Sequence, residues 1–327
     1  MSSLRRIATL AGVSAMTVSR VLRNHPHVSL KLAEKVRRVA QGLGYQSDPQ
    51  IQRLAGYLSQ RRKGLAERET LAWISLDSTY RPPASYDGRM LSGAQHRAEH
   101  LGFRLEALQA DVGRSKEGAL RRMLEARGVQ GVIFSPPIRA TTAHISPSWC
   151  RFSIVLTGWA YWKAPYHRAL SHHYANALTA MKRLGRLGYQ RIGLACSGRS
   201  VRRMQDAWLA AFLVMHPQGP GSAVKLFYDL DRSSSGSWQK WLSRQQPDVI
   251  LTEKSERTDL PCFPKETAFA SLHLKPPFLA MGIDSLAEDI GSNAVDLLTA
   301  QLHRFEKGPS PRVKTVLTQG TWVQRNT

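Results

Sequence analysis

The sequence predicts a small all-helical headpiece followed by an α/β region built on parallel sheets. Three observations carry that expectation. Residues 1–47 spell three short amphipathic segments separated by turn and cap signals. From Thr70 onward, short apolar runs alternate with helical patterns. A chain of 327 residues is also far too long for the headpiece alone and can bury one or two further cores.

The headpiece begins with a helix over Leu4 to Ala11, in which Ile7, Ala8 and Ala11 face inward. Gly12 supplies the left-handed backbone that a tight turn needs, Val13 anchors the turn apolarly, and Ser14 is an N-cap for the next helix. In that helix Val18, Val21 and Leu22 share one face, leaving Ala15, Met16, Thr17, Ser19 and Arg20 at its N-terminal and outer side. A helix-turn-helix offers those positions to a DNA major groove. Val28-Ser29 opens a third helix, capped by Ser29, whose Leu32, Val36, Val39, Ala40 and Leu43 keep the period until Gly44 stops it.

Turn, caps, period and order together resemble the DNA-binding headpiece of the lactose/galactose repressor (LacI/GalR) family. The likeness runs over residues 4 to 57 and includes the AGVS–TVSRVL run, the HVS before the third helix and the LGY after it. It implies a double-stranded, roughly palindromic operator as partner. Its implied DNA contacts are Ser14, Ala15, Met16, Thr17, Ser19, Arg20, Arg23, His27, Ser29, Tyr45 and Leu54. Asp48 to Gly56 stands where the family has a short hinge helix, with Asp48 as cap and Pro49 in the first turn. At roughly eight residues the hinge is too short to hold alone in water, so its folding is expected to accompany DNA binding. By the resemblance, Leu54 wedges into a central minor-groove step; in the plainer alternative it packs on Ile51 within a linker. The hinge departs from the family's usual Pro-Asn entry.

Charge agrees with a nucleic-acid partner. The chain holds 46 Lys and Arg against 24 Asp and Glu, and residues 1–63 hold twelve basic side chains against Glu34 and Asp48. A basic headpiece attracts phosphates, although any polyanion would satisfy charge alone. Arg61-Arg62-Lys63 is read equally as an extra phosphate contact or a solvated linker. Cys150, Cys196 and Cys262 are odd in number and far apart, which argues against a disulfide framework or a thiolate zinc site. No apolar run reaches membrane-spanning length, and the N-terminus is not a signal peptide, so a soluble protein of the reducing cytoplasm is expected.

Beyond a linker over 48–69, the reading is strand Leu71–Leu76, helix Gly88–Leu101, strand Phe103–Leu108, helix Lys116–Ala126, and strands Val129–Phe134 and Phe152–Leu156. It continues with helix Asn176–Leu187, strand Arg191–Ala195, helix Val201–Met215, strand Val224–Tyr228, helix Gly236–Arg244 and strand Asp248–Leu251. Such alternation gives parallel sheets with helices on both faces. The resemblance makes residues 70–327 a periplasmic-binding-protein-like (type I) effector and dimerisation domain of two subdomains, with RGVQGVIFS and RLGYQRIGLA as landmarks. It sends the chain across near Leu170, back near Ile283 for a helix over Ala287–Phe305, and across again near Arg312. The N-subdomain is then about 70–169 plus 284–311, and the C-subdomain about 170–283 plus 312–327.

The cleft between such subdomains is expected to hold a small-molecule effector, a sugar being one possibility. Here the family pattern breaks. Its arginine one turn before the aromatic of VRRMQDAWLAAF is replaced by Met204, with Arg203 beside it. Its Asn-Asp pair becomes Thr252-Glu253-Lys254, and its Gly-Tyr-Asp-Asp becomes Ser271-Leu272-His273-Leu274. Those carboxamides and carboxylates pair with sugar hydroxyls, so their loss weakens the sugar reading. Aromatic residues remain: Trp159, Tyr161, Trp162 and Tyr166, read either as pocket or as loop and subunit packing. Trp159, Tyr161, Trp162, Arg203, Met204 and His273 are the candidate effector contacts.

His167, His172 and His173 lack carboxylate or thiolate companions at ligand spacing, so no metal is expected. No phosphate-loop, nucleophile-elbow or zinc-protease motif occurs, Gly219-Pro220-Gly221-Ser222 reads as a turn, and neither cofactor nor catalysis is expected. The chain is therefore read as a ligand-responsive dimeric transcription factor, usually a repressor in this family. The alternatives are a regulator whose effector domain only dimerises and, least favoured, an enzyme with a helix-turn-helix attached. After the strand-like run Val313–Leu317 no leucine-heptad helix follows, so a dimer is the expected limit of assembly.

Overall fold

The computed structural model describes residues 4–14, 17–18, 21, 30–43, 69–75, 82–109, 114–136, 145–161, 163–232, 234–261, 263–264, 266–277 and 280–324. The hinge and the linker as far as residue 68 fall outside the described residues. In the headpiece, helices Leu4–Ala11 and Leu30–Gly42 close with Val18 and Val21 over one small core. Ile7, Ala8, Ala11, Ala33, Val36 and Ala40 fill it, with Val13, Leu32, Val39 and Leu43 at its margin. Of the inward residues read from the helical period, Ile7, Ala8, Ala11, Val18, Val21, Val36 and Ala40 are buried and Leu32, Val39 and Leu43 half-buried, because a 3.6-residue repeat places them on one stripe; Leu22 lies outside the described residues, and Ala33 joins the core unread.

The larger region contains strands β1 (Thr70–Ser75), β2 (Arg104–Gln109), β3 (Gly131–Phe134), β4 (Ser153–Thr157) and β5 (His167–Ser171). These are followed by β6 (Ile192–Cys196), β7 (Phe227–Asp229), β8 (Val249–Thr252), β9 (Ala268–Ser271) and β10 (Met281–Asp284). After the helix Ala287–Arg304 come β11 (Thr315–Thr318) and β12 (Thr321–Val323). They make two six-stranded sheets, ordered β11-β5-β4-β3-β1-β2 and β12-β10-β9-β8-β6-β7. Pairing is parallel except where β12 runs against β10. Helices cover both faces, so β3, β4, β6 and β8 are buried at every residue, which is why they read as unbroken apolar runs. No helix of the described residues is long and apolar enough to cross a membrane.

The chain leaves the first sheet after β5, returns after β10 and leaves again between β11 and β12. That third passage corrects the expected crossing near Arg312. β11 pairs with β5 from Thr315↔Arg168 to Thr318↔Ser171, so residues 315–318 belong to the first lobe and the crossing falls at Gln319-Gly320. β5 itself is absent from the sequence reading because its buried residues include His167, Arg168 and Ser171, which break the apolar run. Asn176 fastens two crossings together: its Nδ2 donates to Ser171 Oγ at 3.1 Å, and its Oδ1 accepts from Gly320 N at 2.8 Å.

Two further expectations change in the second lobe. Residues 201–215 form two helices, Gly198–Arg203 and Ala207–Met215, because Gln205 (φ 54°) and Asp206 (φ 57°) are left-handed. The kink turns Trp208, Ala211 and Phe212 into the core, which outweighs the local preference for a continuous helix. The expected strand 224–228 is also divided: Pro220–Lys225 is a helix with Pro220 in its first turn, and only Phe227–Asp229 is strand. The Gly219-Pro220 pair therefore starts a helix, Gly219 at φ 78° serving as its cap.

Candidate functional site

The headpiece turn is built from backbone and one hydroxyl. Gly12 sits at φ 66°, in the region that excludes most side chains, and Val13 N donates to Ala8 O at 3.0 Å. Ser14 Oγ accepts from Thr17 N at 3.0 Å, capping the second helix at its first free amides. The same hydroxyl lies 2.9 Å from Thr17 Oγ1. Ser14 is exposed and Thr17 half-buried, whereas Val18 and Val21 point into the core. Ala15, Met16, Ser19, Arg20, Arg23, His27, Ser29, Tyr45 and Leu54 lie outside the described residues.

A cavity of about 670 Å³ opens between the two lobes. In both, its walls come from segments just past the C-terminal ends of strands. These are Gly158, Trp159 and Ala160 after β4 and Ser171 and His173 at the end of β5; Ser200, Arg203 and Met204 after β6; Glu253 to Ser255 after β8; and His273 to Lys275 after β9. Parallel sheets gather ligand-facing loops at that end. Of the residues singled out in sequence, Trp159, Arg203, Met204 and His273 meet here. Trp162 lies outside the described residues, as does the side chain of Tyr161. Tyr166 belongs instead to the first lobe's core, at 2 % exposure, packed with Trp149 and Phe152.

The floor of the cavity is an aromatic clasp drawn from both lobes. His173 stands 5.1 Å from Trp208, 5.5 Å from His273 and 5.9 Å from Trp159, centroid to centroid. His273 meets Trp208 at 5.7 Å and Tyr86 at 5.1 Å. Most of these pairs are edge-to-face, the arrangement ring quadrupoles favour. Burial, together with Lys275, pushes His273 down to about 4. Burial, with His273 and His172 beside it, holds His173 well below the usual histidine range. Both rings are therefore neutral near pH 7. Trp208 Nε1 is buried and meets no acceptor among the described residues.

Above the clasp the wall is charged. Burial draws the Arg203 guanidinium below its ordinary value, while the Glu253 and Asp87 carboxylates oppose that shift. Glu253 Oε1 also accepts from Ser197 N at 3.0 Å, which fixes it against the start of the Gly198–Arg203 helix. At the second crossing, Arg89 forks onto two carboxylates. It donates to Glu288 at 2.7 Å through both Nε and Nη2, and to Asp284 at 3.0 Å through Nη1. Sequence reading misses Ser85, Tyr86, Asp87, Arg89 and Trp208 as cavity residues. Following each strand as far as the start of the next helix would have reached Ser85 to Asp87, since parallel topology brings that end to the cleft, whereas Trp208 lies behind a further helix after β6 and carries no such signal.

The three histidines that stand close in sequence do separate work. His167 Nδ1 accepts from Lys314 N, His172 Nδ1 accepts from Ala175 N at the start of its helix, and His173 lines the cleft.

Residues 3–48 match the family model described as bacterial regulatory proteins, lacI family. The chain carries a lacI-family headpiece. Among curated proteins it is similar to the HTH-type transcriptional regulator DegA of Bacillus subtilis, 27 % identical over 134 residues, which is 41 % of this chain and 36 % of DegA. The chain thus matches little more than a third of that relative's length. Solved structures share the whole fold. The transcriptional regulator CelR in complex with cellobiose aligns over 99 % of this chain and 98 % of its own, at 18 % identity and a TM-score of 0.53. The lac repressor dimer bound to operator and the anti-inducer ONPF gives the same coverage and identity, with a TM-score of 0.50. The lacI-family headpiece is therefore joined to a two-lobed domain whose fold is that of these regulators.

Proposed function

We propose that this protein is a sequence-specific DNA-binding transcriptional regulator, a repressor, that acts as a homodimer in the cytoplasm. A small molecule in the inter-lobe cleft modulates its hold on a pseudo-palindromic operator. Residues 1–47 read DNA, residues 48–69 form the hinge and linker, and residues 70–327 bind effector and pair subunits. The observation that carries this reading is the Gly12 turn with the Ser14 cap inside the stretch matching the lacI family model. Ser14 to Arg20 then meet base edges, Arg23, His27, Ser29 and Tyr45 add contacts, and Leu54 is the minor-groove wedge. The protein acts by binding and not by turnover. In the cleft, Trp159, Arg203, Met204 and His273 contact the effector, with an acceptor oxygen on the ligand meeting the unpartnered Trp208 Nε1 after a small shift.

Selection of bound duplexes from a random pool, followed by Arg20→Ala on the recovered site, tests the headpiece. Arg20→Ala is expected to lose about 1–3 kcal/mol on the selected site and to relax preference at one position per half-site. Equal loss on selected and random DNA would assign Arg20 to phosphate alone.

A further inference from the structure

The cleft lies at the C-terminal ends of the strands in both lobes, so each lobe has an opposite pole where strands begin. The chain enters the first lobe at such a pole, at Glu69-Thr70. The second lobe's pole, at the other end of the molecule, is strongly basic. Helices His173–Arg186, Pro220–Lys225 and Ser235–Gln245 all end there, bringing Lys182, Arg183, Arg186, Lys225 and Arg244, and Arg191 opens β6 beside them. All six are exposed. None has an ion-pair partner among the described residues. A shallow hollow lined by Arg191, Gln218, Ser222, Lys225, Leu226 and Gln245 joins three of these segments into one surface.

Carboxylates are scarce around this pole. From His173 to Tyr228 the sequence holds one, Asp206, which sits at the start of the Ala207–Met215 helix; Ser234 to Pro247 holds none. Of the two nearest, Asp248 is engaged by the Gln190 and Arg191 amides at 2.8 and 3.0 Å, and Glu266 precedes β9. Helix dipoles favour a cation in a last turn, but each terminus supplies only about half a negative charge, so most of the positive charge is left over. The long cationic side chains stand among glutamine and serine, with exposed Leu187 and Val224 as isolated apolar neighbours, and such a surface suits regularly spaced phosphates. It offers no aromatic ring at the hollow for a base or a protein anchor to stack on.

We propose that this pole binds a second DNA duplex through its phosphates, independent of sequence, so that one molecule tethers two DNA segments. The headpieces hold one segment and the far pole of the second lobe holds the other; the first half of that arrangement rests on the regulator reading above. Such contact releases counterions, so it weakens steeply with salt.

The test captures a labelled random-sequence duplex of about 40 base pairs onto beads carrying the selected site, using the full chain. Direct affinity for the selected site is measured in parallel. The combined variant Lys182→Gln, Arg183→Gln, Arg186→Gln, Arg191→Gln is expected to capture at least about tenfold less second duplex, with selected-site affinity within about twofold of the parent. Its capture salt slope is expected to fall by up to about 4, near 0.9 for each phosphate contact removed. The charge-keeping variant Arg183→Lys, Arg186→Lys, Arg191→Lys is expected to retain capture, which guards against simple misfolding. Undiminished capture by the glutamine variant, or none by the parent at low salt, would overturn the proposal. Polyglutamate competing as well as duplex at equal charge would overturn the assignment to DNA. A parent that tethers random duplexes but prefers no selected site would refute the regulator reading and leave the pole intact.

Discussion

His273 shows what one side chain's surroundings can do. It lies in the aromatic clasp, where its backbone N donates to Ser271 Oγ at 2.9 Å and its Nδ1 lies 3.2 Å from Ser285 Oγ. Burial holds it near 4 in the folded protein, against about 6.5 in an unfolded chain. Between those values the unfolded state binds the proton and the folded state does not, so stability is fully present above about pH 6.5 and falls as pH drops toward 4. From pH 7 to pH 5 this one ring accounts for about 2 kcal/mol. His273→Phe, which keeps the ring, is expected to shrink the pH 7 to pH 5 difference in urea-unfolding free energy by that order. An unchanged difference would show that the clasp tolerates the charge. The sequence marks His273 as a departure at a family position, but the rings around it come from separate strand ends, and only the fold brings them together.

At the scale of elements, the best-read segments are those fixed by their own chemistry. The bounds of the first helix are legible because Gly12 and Ser14 stop one helix and start the next through local geometry. The break at Gln205-Asp206 is illegible because packing of Trp208 against residues far away in sequence sets it. Helix pairing follows the same division. The long helix Ala287–Arg304 crosses Tyr86–His100 so closely that a Cβ on Gly291 would collide with Met90 O, and one on Gly93 with Glu288 O. Gly291→Ala is therefore expected to destabilise by about 1–3 kcal/mol or more, since two packed backbones have little room to yield. Gly118→Ala is the contrasting change: it lies on the helix Arg114–Ala126, where the nearest atom to a new Cβ is Arg122 Nη1 at 3.6 Å. It is expected to be neutral or to stabilise by up to about 1 kcal/mol. Denaturant midpoints for the two variants compare the predictions directly, and equal effects would refute the close-packing account.

For the whole molecule, alternation of strand and helix made the two-lobed architecture legible, while the course of the last crossing needed the pairing of β11 with β5. The crossings matter because Arg89 binds Asp284 at the return crossing and Glu288 on the helix that follows, with Arg89 and Asp284 each only 11 % exposed. Lobe closure on a ligand must therefore work around a fastened return crossing, and this favours rotation about the three links over sliding. If the cleft takes an effector as proposed, that ligand stabilises the folded state, and a metabolite panel read by thermal shift is expected to contain a compound that raises the melting temperature with concentration. The same preparation settles assembly. Two headpieces on one two-fold axis match a palindromic site, and pairing raises affinity by placing the second reader at high effective concentration. Light scattering on DNA-free protein at micromolar concentration is expected to give about twice the 36.5 kDa chain mass. A monomer mass would mean that the subunits meet only on DNA, and occupancy of the site would then rise with the square of protein concentration; a tetramer mass would require a further interface on the two-lobed domain.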